Sequence, residues 1–97
     1  MQFNVKCVRE CLVNNGVVYT VRGYNMSDCF VYVDGIGEYY REKLFEVEGK
    51  WDLEPFVDKS GFKSVDDWWN KIMDFTYGKR IWMYRVRVEK SGDDMYE

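Results

Sequence analysis

The sequence predicts an α+β fold: a small mixed or antiparallel β-barrel with one main helix and a short second helix. Three observations predict it. Short runs rich in β-branched and aromatic residues alternate with turn signals such as Asn15-Gly16 and Asp34-Gly35. A segment that opens at Ser64 carries apolar residues at helical spacing behind a capping residue. The chain also holds four Trp, eight Tyr and six Phe in 97 residues, more than a short meander can bury on one face. Closure into a barrel flanked or plugged by the helix covers both faces and removes free edges.

The elements follow in order. Phe3-Asn4-Val5-Lys6-Cys7-Val8 alternates apolar and polar residues and reads as a strand, with a short helical turn over residues 8–13 as the alternative. Asn14-Asn15-Gly16 is a turn. Residues 17–21 form a buried strand of Val, Tyr and Thr; Gly23 permits a bend and residues 25–28 a loop. Residues 29–33 are a third strand, closed by Asp34-Gly35. Residues 39–47 make a longer strand of mixed parity, with Tyr39, Arg41, Lys43, Phe45 and Val47 on one side, and Gly49-Lys50 breaks it. Residues 53–57 suit a short helix with Pro55 in its first turn.

Ser64-Val65-Asp66-Asp67 has the shape of a capping box, and its two acids favour the positive end of the helix dipole. Val65, Trp68, Trp69, Ile72 and Met73 share the apolar face, so the Trp pair reads as core, and Gly78 stops the helix. Residues 81–89 are the last strand, with Trp82, Tyr84, Val86 and Val88 on one face and Arg85, Arg87 and Glu89 on the other.

A chain of 97 residues is one domain, residues 1–90, followed by a frayed acidic tail over 91–97. Its formal charge of −3 argues against non-specific nucleic-acid binding, which needs a basic surface. The charge is uneven, because residues 79–90 carry Lys79, Arg80, Arg85, Arg87 and Lys90 against Glu89 alone. Such a strand suits a short anionic ligand as well as a solvated face. No apolar stretch approaches the ~20 residues of a membrane helix, and the N-terminus lacks a signal-peptide layout, so no membrane partner and a cytoplasmic location are expected. Cys7, Cys11 and Cys29 make no CxxC pair and the chain has no His, which excludes a Cys/His zinc site. Free thiols, no metal and no cofactor are expected. A Cys7–Cys29 or Cys11–Cys29 bridge is the alternative for a hyperthermophile, to which the lack of His and the single Gln also point.

No Gly-rich phosphate loop, HExxH or GxSxG motif is present, and without His the usual acid/base at neutral pH is missing, so no catalytic residue is assigned. Thr20, Arg22 and Tyr24 continue one face of the second strand. A half-buried guanidinium at Arg22 requires a carboxylate or a ligand anion. Tyr39, Arg41 and Lys43 set two cations beside an aromatic ring, which suits a phosphate and a stacked base, or else a solvated face.

Together, residues 16–22 and 60–88 resemble the ASCH domain of the PUA-like superfamily. Ser60-Gly61-Phe62-Lys63-Ser64-Val65-Asp66-Asp67-Trp68-Trp69 looks like the family's Gly-Phe lead into its helix, and Gly78 with residues 81–88 looks like its closing strand. Gly16 and Thr20-Val21-Arg22 are similar to the G-x-K-x-x-x-x-R region beside the family's ligand cleft. The resemblance implies a PUA-like barrel with a cleft beside it and a role in binding RNA or a modified nucleoside. Some members hydrolyse RNA or acetylated cytidine, the latter with a Lys, a Thr and a Glu. Here Val17 and Val18 follow Gly16 and no Lys does. The expected function is therefore a module that binds short RNA or a nucleotide through Thr20, Arg22, Tyr24, Tyr39, Arg41, Lys43 and Arg85. The alternatives are a hydrolase of a modified nucleoside or RNA, and a protein-interaction domain without a small ligand.

Overall fold

The computed structural model describes residues 3, 5–33, 35–77 and 79–88. Helix α1 (Lys6–Asn15) leads into β1 (Val17–Arg22), β2 (Cys29–Val33) and β3 (Gly37–Val47). A 3-10 helix (Lys50–Lys59), α2 (Val65–Thr76) and β4 (Ile81–Arg87) complete the chain. The fold is α+β, with one antiparallel sheet in the order β1-β4-β3-β2.

Strand β4 arrives last but inserts between β1 and β3, so β1 and β2 are left as edges. Among the described residues these edges do not pair with each other, and the barrel expected from the sequence is not formed. Helices cover the faces instead. Val8, Cys11 and Leu12 of α1 pack with Phe3, Val18, Val33, Tyr39 and Val86 on one face. Leu53 of the 3-10 helix and Trp68 and Ile72 of α2 pack with Val47, Ile81 and Met83 on the other. Phe62 touches both clusters and stacks on Trp68, their centroids 6.3 Å apart.

The N-terminal strand expected over residues 3–8 is a helix from Lys6 onward. Val8, Cys11 and Leu12 stand at i, i+3 and i+4 and are all buried, which a helical period satisfies and a period of two does not. Gly16 ends α1 at φ +74°, its N–H donating to the Leu12 carbonyl, so the Asn-Asn-Gly turn is a left-handed helix cap. Helix α2 begins as expected: Ser64 Oγ accepts the Asp67 N–H at 3.1 Å. It ends on Tyr77, itself left-handed at φ 54° and bonded to the Met73 carbonyl. Gly78, the expected stop, lies outside the described residues, as do Asp34 of the β2–β3 turn, Glu89 and the tail.

The mixed parity of β3 has a backbone cause. Lys43 pairs with Tyr84 and Phe45 with Met83, so Leu44 is the extra residue of a bulge. Before it Tyr39, Arg41 and Lys43 face the α1 side. After it Phe45 and Val47 face α2. The expected 53–57 helix runs longer, over Lys50–Lys59, as 3-10 turns around the fully buried Leu53. Gly61 follows at φ +91°, where a Cβ would meet the Cys7 carbonyl oxygen at 2.6 Å. The Gly-Phe pair thus ties the α2 layer to the start of α1. Among the described residues, no helix is long and apolar enough to cross a membrane.

Candidate functional site

A cleft of about 370 Å³ opens along β1, between the N-terminal segment with α1 and the outer turns of α2. Six consecutive residues, from Tyr19 to Tyr24, form its floor. Phe3, Val5 and Val8 make one wall, and Phe62, Trp68, Lys71, Ile72, Phe75, Thr76 and Lys79 make the other. Strand β1 can do this because it is an edge strand with helical layers rising on both sides. At one end Gly23 lies beside the end of α2, where a Cβ would stand in ordinary contact, 3.7 Å from Thr76 Cγ2 and 3.9 Å from the Arg80 carbonyl.

Arg22 and Thr20 project from β1 on the α1 side. The Arg22 guanidinium lies 4.9 Å from the centre of the Phe3 ring, and its Nε approaches Thr20 Oγ1 at 3.4 Å. Burial, and then the positive field of Arg41, push the Arg22 pKa below the ordinary arginine value. Its charge is therefore held in a place that disfavours it, a cost that the opposite charge of an anion in the cleft offsets. Tyr24 stands at the mouth with its ring 71 % exposed. On α2, the Lys71 ammonium lies 5.5 Å from the centre of the Phe75 ring, which is 63 % exposed. The Thr76 hydroxyl is turned away from ligand, donating to the Ile72 carbonyl at 2.8 Å. The cleft thus brings together three cations and six aromatic rings, with no carboxylate among its described lining residues.

Of the seven residues expected at the site, Thr20, Arg22 and Tyr24 line this cleft and the other four do not. Tyr39 is buried in the α1-side core. Arg41 holds the loop before β2, donating to the Ser27 carbonyl at 2.8 Å and to Cys29 Sγ at 3.1 Å while lying 5.8 Å from the Tyr84 ring centre. Lys43 holds the same loop: its N–H donates to Asp28 at 2.7 Å and its ammonium to Asn25 at 2.5 Å. These two cations act on the cleft only at second hand, through the loop and through the field of Arg41. Arg85 lies on the opposite face of the sheet, paired with Glu42 at 2.8 Å.

That opposite face forms a second surface near β2. Phe30 and Tyr32 are 61 % and 59 % exposed, Phe30 packs edge-on against Tyr40, and Arg87 lies 5.3 Å from the Tyr40 ring centre. Glu42 answers both Arg85 and Arg87 there and is held below the ordinary carboxylate value, first by the Arg87 hydrogen bond and also by that of Arg85. Both guanidiniums of this face are thus engaged by Glu42.

Lys71 and Phe75 of the second wall are absent from the sequence-based expectation, and Lys79 enters it only as part of the basic stretch 79–90. Their signal is the spacing: Lys71 and Phe75 are i and i+4 on α2, beside the buried Ile72 and not opposite it. Tyr84, expected only on one face of the last strand, braces the rim of the cleft. The three cysteines are free thiols; burial, above all, raises the Cys11 pKa. Among the described residues, no group of three or more Cys, Asp or Glu side chains stands where it would hold a metal. No protein family, curated protein or solved structure matches this chain.

Proposed function

We propose that this chain binds a nucleotide, free or within a short RNA, in the cleft beside β1. The observation that carries the reading is the lining: Arg22, Lys71 and Lys79 gathered around aromatic walls with no described carboxylate, in a chain whose net charge is −3. A base is flat and apolar on its faces, and its phosphate is anionic; stacking and charge-assisted hydrogen bonds answer these two properties. The volume lies within the range of small-ligand pockets.

The proposal includes kinship with the ASCH domains of the PUA-like superfamily, the open sheet standing where those domains have a barrel. Thr20 and Arg22, the residues that carry the upstream resemblance, both line the cleft. With no carboxylate among the described lining residues, a general acid or base there would have to be a Tyr or Lys side chain, so we place binding ahead of hydrolysis.

Titration with nucleoside monophosphates and with short single-stranded RNA, at low and at raised salt, tests the reading. Saturable binding that weakens as salt rises is expected. Failure of every one of these ligands to bind at low salt overturns it.

A further inference from the structure

The ladder between β1 and β4 fixes which way each peptide group of β1 points. The Val88 N–H donates to the Gly16 carbonyl at 2.9 Å, and the register pairs Val18 with Val86, Thr20 with Tyr84 and Arg22 with Trp82. In an antiparallel pair the hydrogen-bonded positions alternate, so the even-numbered residues of β1 exchange both bonds with β4. The N–H and C=O groups of Tyr19 and Val21 point the other way, off the open edge. Cys11 Sγ approaches the Val17 carbonyl from that side at 3.8 Å, as this alternation requires.

The lining of the cleft carries the same message. Side chains at positions 19 to 22 alternate between the two faces of the sheet, yet all four residues line one cavity. Only a wall made by the strand's own edge touches all of them. Among the described residues, the main-chain groups of Tyr19 and Val21 have no hydrogen-bond partner, and main-chain groups at a cleft must be satisfied by water or by a ligand.

We propose that the exposed peptide groups of Tyr19 and Val21 read the hydrogen-bonding edge of a nucleobase, with its phosphate held at the Arg22 end of the strand. The inference rests on the nucleotide reading above and names what that site recognises: a planar heterocycle that offers a donor and an acceptor side by side. An extended strand edge presents the complementary pair, a carbonyl followed by an N–H on the same side. The phosphate is placed by charge. Gly23 touches the end of α2, so Lys79 and Arg22 flank the same end of the cleft. An extended peptide would use the same main-chain groups, but it brings no compact anion for those two cations. The volume of the cleft, about 370 Å³, also falls within the range of small-ligand pockets.

The test is an amide-resolved NMR titration of the full chain with AMP, CMP, GMP, UMP and ribose 5-phosphate. At least one of the four nucleotides is expected to bind about tenfold or more tightly than ribose 5-phosphate, the discrimination of one bidentate base contact. Its saturation should move the Tyr19 and Val21 amide protons downfield. A nucleotide that binds no better than ribose 5-phosphate, or that saturates without moving those two amides, overturns this inference and leaves nucleotide binding standing. If no nucleotide binds, this inference is overturned, and the functional reading falls with it when short single-stranded RNA fails to bind as well.

Discussion

The Tyr84 hydroxyl, rooted in the inner strand β4, donates to the Tyr24 carbonyl and accepts the Met26 N–H at 2.7 Å. One fully buried side chain therefore clamps the segment that forms the rim of the cleft. Tyr84→Phe keeps the ring and deletes the clamp. The variant should lose about 1–2 kcal/mol of stability, the usual effect of leaving paired main-chain groups without their partner. Chemical denaturation measures this, and faster hydrogen exchange at Met26 should accompany it. Unchanged stability and unchanged exchange would show that the rim holds without Tyr84.

Gly61 is fixed by its conformation and by its neighbour. At φ +91°, with the Cys7 carbonyl oxygen 2.6 Å from a would-be Cβ, Gly61→Ala should cost about 2 kcal/mol or more. Gly23→Ala is the control: its Cβ would meet nothing closer than 3.7 Å, so its effect should stay within about 0.5 kcal/mol. Equal melting midpoints for the two variants would contradict this account of the junction between α1 and α2.

Helix α2 carries one wall of the cleft, and Ser64 starts it. Ser64→Ala removes the acceptor for the Asp67 N–H and should cost about 1 kcal/mol, while Ser64→Asp should retain most of the stability. A thermal melt of each variant decides the matter.

Acid should weaken the fold through Glu42. Its folded-state pKa lies below the ordinary 4.5, so the pairs with Arg87 and Arg85 stabilise the fold fully above that value. The stabilisation fades as pH falls through the lower, folded-state value. Melting midpoints should therefore drop with pH below about 4.5, and Glu42→Gln should flatten that part of the profile. A variant with the slope of the parent chain would assign acid sensitivity to other groups.

The sequence reveals elements whose signals are local. Helix α2 is legible because Ser64 and the spacing of Trp68 and Ile72 agree within one segment, and β1, β2 and β4 because their β-branched and aromatic runs end in turns. Helix α1 is legible only as the alternative reading, a helical turn over residues 8–13, because alternation over residues 3–8 mimics a strand until Cys11 and Leu12 show the longer period. The bulge at Leu44 is a backbone event without a residue signature, so the side of the sheet that Phe45 faces depends on pairing with β4. The open sheet has a similar cause: insertion of β4 between β1 and β3 is a long-range choice that leaves no local mark.

The site divides in the same way. Thr20, Arg22 and Tyr24 share a strand face and are legible together. Arg41, Lys43 and Arg85 look alike as cations on strands, and only their tertiary partners, a loop in two cases and Glu42 in the third, separate them from the cleft. Lys71 carries no mark that sets it apart from any helix-surface charge, and the basic stretch that begins at Lys79 suits a ligand or solvent equally until α2 is laid beside β1.

Arg22 is where the account is most exposed, since it is the half-buried cation on the floor of the cleft. Isothermal titration of the parent chain and of Arg22→Gln with the best-binding nucleoside monophosphate, alongside a thermal melt of each, tests it directly. Arg22→Gln should weaken binding by about tenfold or more, the scale of one charge-assisted contact, while the fold is kept and Arg22→Lys recovers part of the loss. Equal affinity in the parent chain and a folded Arg22→Gln would contradict it.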